Sequence, residues 1–207
     1  MIDHTFQPMK KGEKTQTKIL EKAARLFAKS GYKGVTIDRI ANSAGLTKGS
    51  LYSHFKSKHE IYVQSLYWYF SSRIENGPSA LRDVKDDLEQ FCSFLSWLID
   101  LFKNDEIFTL LMLRLIVDSD TSAIRSVIPS VFTDTVTRMM NFIEKNSPSK
   151  DPREYAFSLA SIILLNRNLE TFFTELTSGQ ATSKETSRMP LLDHLLEILA
   201  IKPGATG

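Results

Sequence analysis

Between Thr36 and Phe55 the sequence T-I-D-R-I-A-N-S-A-G-L-T-K-G-S-L-Y-S-H-F sets two short apolar stripes on either side of a single helix breaker. Ile37, Ile40, Ala41 and Ala44 fall on one helix face, and Leu51 and Phe55, four positions apart, fall on another. Gly45 can adopt the left-handed conformation that stops a helix. Thr47 can begin the next one, running to about Phe55. The first helix must pack tightly across the second, which the small Ala41 and Ala44 permit. Such a unit is a helix-turn-helix, whose second helix is shaped to enter the major groove of DNA.

The remainder of the chain reads as helix almost throughout, so the expected fold class is all-α. No stretch sustains period-two alternation, and glycines and prolines sit mainly at breaks. A first helix is expected from a cap at Thr15 or Thr17, with Ile19, Ala23, Leu26 and Phe27 on one stripe, ending at Ser30-Gly31. A fourth is expected over Ser57 to Ile74. Asn76-Gly77-Pro78-Ser79 then gives the clearest break. The expected division is a flexible tail over 1–12, a DNA-binding domain over 13–73, and a ligand-binding and dimerisation domain over 74–207. Within the last, helices are expected near 81–103, 105–118, 121–145, 151–177 and 190–200, about nine in the whole chain. Pro129 is expected to kink one of them. Asp151-Pro152-Arg153-Glu154 combines a capping acid, a first-position proline and a third-position glutamate, a strong helix start.

Charge is distributed unevenly. Residues 1–60 carry twelve Lys/Arg against five Asp/Glu, a net +7, and the remainder carries 14 against 19, a net −5. A basic head and an acidic body suit a protein whose amino-terminal part meets a polyanion. With Leu51 and Phe55 turned inward, Lys48, Ser50, Tyr52, Ser53 and His54 are left to the outer and flanking surfaces of the second helix. Lys48 can meet a phosphate, and Thr36 and Lys58 can do so at two neighbouring helix starts. Ser50 can reach a base edge. Gly49 costs about 1 kcal/mol of helix propensity against alanine, which close approach to a DNA backbone would explain. Tyr52 and His54 also have local uses, one packing under its own helix and the other in a cap.

These residues resemble the DNA-binding domain of the TetR (tetracycline-repressor) family. The matching elements are I-L-x-x-A-x-x-L-F over Ile19 to Phe27, Gly31-Tyr32 before Val35-Thr36, I-A-x-x-A-G over Ile40 to Gly45, K-G-x-L-Y-x-H-F over Lys48 to Phe55, and Lys58. The resemblance covers about residues 13–73. It implies a three-helix DNA-binding head, a helical effector-binding body, and dimerisation through the last two long helices. Carried over, Thr36, Thr47, Lys48, Gly49, Tyr52, His54 and Lys58 form the DNA-facing set. Ser53 departs from the family, where many members have a second aromatic.

The helix from 151 is apolar nearly all round, and so is the final one. Helices of this kind need more than one neighbour to cover them, and a second copy of the chain is expected to do so. Ala156, Leu159, Ala160, Ile163, Leu192, Leu195, Leu196 and Leu199 are the expected dimer face. Large soft side chains in the body, Tyr67, Phe70, Phe91, Phe94, Trp97 and Met112, are candidate walls of an effector pocket, with Arg114 and Asn166 as polar members. Aromatic stripes are more often simply core.

Other classes find no support in the sequence. His4, His54, His59 and His194 lack metal-ligand spacing, no glycine-rich phosphate loop exists, and Cys92 has no histidine nearby, so no enzyme, metal site or cofactor is expected. No apolar run approaches the roughly 18–20 residues of a membrane span. The polar, lysine-bearing Met1 to Gln16 is not a secretory signal, and a lone cysteine fits a reducing compartment. A bacterial cytoplasmic address is therefore expected, on the nucleoid when bound to DNA. The functional expectation is a repressor of a palindromic double-stranded operator, binding as a homodimer and released by an apolar or amphipathic small molecule. The alternative is a DNA-binding protein without such an effector, controlled by a protein partner or organising DNA.

Overall fold

A computed structural model describes residues 11–75, 77, 87–117, 121–146, 151–177 and 191–198, and everything described is helix or connecting turn. The helices are α1 (Lys11–Ser30), α2 (Ile37–Ala44), α3 (Lys48–Tyr52), α4 (Lys58–Ile74), α5 (Asp87–Asn104), α6 (Glu106–Val117), α7 (Thr121–Asn146), α8 (Pro152–Thr177) and α9 (Leu191–Ile198). They form two compact units. One comprises the chain up to Ser72 together with Leu110–Pro129, and the other comprises Arg73–Thr109 together with the chain from Ser130 onward.

In the first unit, α1 already contains Lys11, so neither Thr15 nor Thr17 caps it. Its buried stripe is Ile19, Leu20, Ala23, Ala24, Phe27 and Ala28, while Leu26 is only half-buried at the edge. Gly31, at φ 65, ends the helix and donates from its N–H to the Phe27 carbonyl at 2.9 Å. Gly34 then has a role the sequence did not reveal. A Cβ there would strike the Ser30 carbonyl oxygen, so the α1–α2 turn closes only around a bare backbone. Arg39 pins the same turn by donating to the Gly34 carbonyl at 2.6 Å. Leu51, Phe55, Ile61, Leu66 and Phe70 complete the core, each no more than 1% exposed. Full burial of such a side chain stabilises a fold by about 1.5–3 kcal/mol.

The first unit incorporates Leu110–Pro129 as well as the amino-terminal helices. Leu111, Leu115, Ala123 and Val127 are the buried residues of that segment. Two polar contacts tie it to the first four helices. Arg114 Nη2 donates to the Lys29 carbonyl at 3.4 Å, and Ser122 Oγ lies 3.2 Å from His59 Nε2. The helix α7 runs unbroken through Pro129, which is also where the chain passes from one unit to the other.

The second unit is an aromatic core inside helices. Phe91 and Phe142 stack face to face, 3.8 Å between centroids and 4° between planes, and Phe108 meets Phe102 edge-on at 5.1 Å. Asp105 caps α6, its Oδ1 accepting from Phe108 N, while its Oδ2 accepts from Arg73 Nε at 3.0 Å. At α8 the expected start is present, with Asp151 Oδ1 accepting from Arg153 N at 2.8 Å. Both α8 and α9 pack against α5.

That packing changes the reading of the apolar face of α8. Ala156, Leu159 and Ile163, with Leu195 and Leu196 of α9, are 5% exposed or less within a single chain. Within the single chain they are buried in the second unit, where α5 packs against both helices. Leu192 is half-buried, and Leu199 lies outside the described residues. Apolar side chains left open on α8 include Phe157, 74% exposed, together with Ala160, Leu165 and Leu176. No helix among the described residues is long and apolar enough to cross a membrane.

Candidate nucleic-acid interface

Local hydrogen bonds shape the turn between α2 and α3. Thr36 caps α2, its hydroxyl oxygen accepting from Arg39 N at 3.2 Å, and Thr47 caps α3 by accepting from Ser50 N at 3.1 Å. Gly45 takes φ 68 and ψ 38. In that left-handed conformation its N–H donates to the Asn42 carbonyl and the Leu46 N–H to the Ala41 carbonyl, at 3.1 and 2.9 Å, the paired bonds of a Schellman stop. Gly45 therefore turns the chain at the one position where a Cβ would be strained.

The second helix is shorter than its apolar spacing suggests. It ends at Tyr52, and residues 53–54 form a turn before Phe55, which is still only 1% exposed. His54 is therefore off the helix, half-buried beside the Phe55 ring at 6.5 Å between centroids. Ser53 Oγ donates back to the Ser50 carbonyl at 2.7 Å. Thr36, Thr47, Lys48, Gly49 and Tyr52 are all exposed, and Ser50 is intermediate. Tyr52 is 47% exposed, so its ring is not consumed by packing under α3.

Two of these positions have informative surroundings. Lys48 Nζ lies 3.3 Å from Asp38 Oδ2, with both side chains more than half exposed. Pairs of this kind contribute about 0–1 kcal/mol, so the ammonium can exchange Asp38 for a phosphate at little cost. At Gly49 an added Cβ would meet nothing within 4 Å. No packing demand within the protein requires glycine there.

Lys58, expected to meet a phosphate, is engaged within the protein. Its Nζ donates to the carbonyls of Tyr32 and Val35 at 3.0 and 3.1 Å and stands 4.2 Å from the centroid of the Tyr32 ring. Two of its three donors are committed to closing the α1–α2 turn onto the start of α4. The sequence did not reveal these partners, because the carbonyls lie 23 and 26 residues away. The Tyr32 ring beneath that ammonium also contacts the rings of Phe27 and Tyr62. The start of α4 is fixed by Ser57 and Glu60: Ser57 Oγ accepts from Glu60 N, and Glu60 Oε2 accepts from Lys56 N at 2.6 Å.

The expected effector residues are divided between the two units. Tyr67, Phe70, Met112 and Arg114 belong to the first unit, where Phe70 is fully buried, Tyr67 is 47% exposed and Arg114 is engaged at Lys29. Trp97 is half-buried against the Gly77 backbone, leaving no space for a Cβ there, and Asn166 is half-buried on α8. Phe91 and Phe94 do share a cavity, of about 250 Å³. It lies between α5 and α7 in the second unit, with Phe142, Gln90 and Asn141 also on its wall and Arg138 and Lys145 as its charged members. No group of His, Cys, Asp and Glu among the described residues is arranged to hold a metal.

Comparison with known proteins bears on the head most directly. The family model described as bacterial regulatory proteins, tetR family, matches residues 19–64, which take in α1 from Ile19, the helix-turn-helix and the first turns of α4. The biofilm operon icaADBC HTH-type negative transcriptional regulator IcaR of Staphylococcus aureus (strain Newman) is 51% identical over 49 residues, 24% of this chain. That match spans only 26% of IcaR itself. Among solved structures, AibR in complex with isovaleryl coenzyme A and operator DNA superposes at a TM-score of 0.64 and 19% identity, covering 90% of this chain and 96% of AibR. FadR from Bacillus subtilis in complex with stearoyl-CoA superposes at 0.66 and 17%, covering 88% and 96%. The head thus matches the tetR family model over residues 19–64, and the chain shares its fold with AibR and FadR.

Proposed function

We propose that this chain is a transcriptional repressor that binds a palindromic operator as a homodimer and is released from it by a small molecule held in its second unit. The observation that carries the DNA reading is the open surface around α3. There Lys48, Gly49, Ser50 and Tyr52 stand within one helical turn and a half, and the glycine has no structural reason of its own. A glycine kept where only an external backbone would crowd a Cβ fits direct apposition to a phosphate chain. Thr36, Thr47 and His54 flank the same surface, and Lys58 acts behind it by holding the turn.

A dimer follows from the geometry of DNA. Two recognition helices must meet half-sites about 34–36 Å apart, and a single copy presents one such helix. The open apolar side chains of α8, led by Phe157, support a second copy as their cover. AibR, which shares the fold, binds both isovaleryl coenzyme A and operator DNA, and FadR binds stearoyl-CoA, which supports an effector for this chain as well. The proposed setting is the bacterial cytoplasm. The test is oligonucleotide selection on the full chain, followed by fluorescence anisotropy across salt concentrations. An enriched palindrome whose affinity falls on Lys48→Gln and Tyr52→Ala supports the reading. Selection without an enriched site, or affinity untouched by both substitutions, rejects it.

A further inference from the structure

We infer that the cleft between α5 and α7 is a site for a small organic anion, a carboxylate on a compact aryl or acyl body. The inference deepens the effector reading above and rests on it for its regulatory meaning, but the site itself stands on geometry. Its apolar part is Phe91, Phe94 and Phe142, each between 4% and 8% exposed, so the aromatic floor is dry and the two stacked rings hold it flat. Arg138, Asn141, Phe142 and Lys145 fall at i, i+3, i+4 and i+7 on α7, one continuous stripe along the opening. The cleft is thus apolar at its base and cationic along one edge.

The charge on that edge decides the class of ligand. Two of the lining side chains are cations and none is a carboxylate. They are seven residues apart, roughly 10 Å along a helix axis, with the Asn141 amide between them. Asp134 accepts from Arg138 Nε at 2.8 Å. That takes one of the five guanidinium donors and braces the side chain from outside the cleft. An arginine so oriented favours a planar carboxylate, and Lys145 places a second cation along the same edge. A quaternary or primary ammonium would find no carboxylate in the lining to receive it, since Asp134 is paired with Arg138 outside the cleft. A purely apolar ligand would leave the polar edge unused. At about 250 Å³ the cavity falls just below the ~300–1,000 Å³ usual for drug-sized ligands, which favours a compact body with its charge at the mouth.

The test compares three probes with one body and three charges: 3-phenylpropionate, 3-phenylpropanol and 3-phenylpropylammonium, titrated calorimetrically into the full chain and into two substituted forms. The carboxylate should bind about tenfold tighter than the alcohol, and the ammonium weakest. Arg138→Gln and Lys145→Gln should each lower carboxylate affinity about tenfold while leaving the alcohol unchanged. Both positions are partly or fully exposed, so the fold is expected to survive, and circular dichroism verifies it. Equal binding of the three probes, no binding by any of them, or carboxylate affinity indifferent to both substitutions overturns the site. The selected operator fragment separates this from the effector reading. If the carboxylate binds with the stated charge dependence but DNA affinity is unmoved, the regulatory reading fails and the site stands. If another compound releases DNA while the carboxylate does not bind, the site fails and the regulatory reading stands.

Discussion

The Lys58 ammonium stands 4.2 Å above the Tyr32 ring and at the same time donates to the Tyr32 carbonyl, so one residue of the α1–α2 turn holds it by both backbone and side chain. This makes Lys58 a clamp on the head. Replacing it with methionine should lower the unfolding free energy by about 1–2 kcal/mol, from lost charge-assisted bonds and a lost cation–π contact. Urea unfolding measures this. The slope of log affinity against log salt should change by well under the ~0.9 expected of one phosphate contact. An unchanged urea midpoint with a full slope change would return Lys58 to the DNA surface.

Gly49→Ala should separate stability from binding. With open space around the new methyl, the free protein should gain up to about 1 kcal/mol of helix propensity. Operator affinity should fall, because the methyl projects from the surface assigned to DNA. Thermal unfolding and anisotropy on the same variant provide both numbers. Tighter or equal DNA binding would remove Gly49 from the interface.

Asp38→Asn should strengthen DNA binding severalfold, most clearly at low salt. The substitution removes a negative charge beside the phosphate path and frees Lys48 from the Asp38 carboxylate at 3.3 Å. Because the pair is exposed, stability should move by no more than about 0.5 kcal/mol. Lys48→Gln in the same background should cancel the gain. If Asp38→Asn weakens binding instead, the carboxylate has a positive role there.

On α8, Phe157→Glu and Ile163→Glu should behave differently although six residues apart on one helix. Phe157 is 74% exposed, so its replacement should leave a folded chain that sediments as a monomer. Ile163 is 2% exposed inside the second unit, and a charge there should unfold that unit by several kcal/mol. A Phe157→Glu protein that remains dimeric would move the interface off this face.

Elements whose signals are local could be read from residue type and spacing. Gly31 and Gly45 stop helices by conformations available to glycine within one turn, and Thr36, Thr47 and Asp151 cap helices through bonds to amides two or three residues ahead. These are short-range devices, so the helix-turn-helix and the start of α8 were legible from residue type and spacing. The expected α3 overran because Phe55 keeps its inward place from a turn as well as from a helix, and apolar spacing does not separate the two. Tertiary structure decided whatever depended on distant partners. It gave Lys58 to carbonyls more than twenty residues upstream and placed Leu110–Pro129 with the head. It also covered Leu159 and Ile163 while leaving Phe157 open, although all three are apolar residues of one helix. An apolar residue fixes that a surface must be buried, but which neighbour buries it is settled only when helices far apart in the chain pack together.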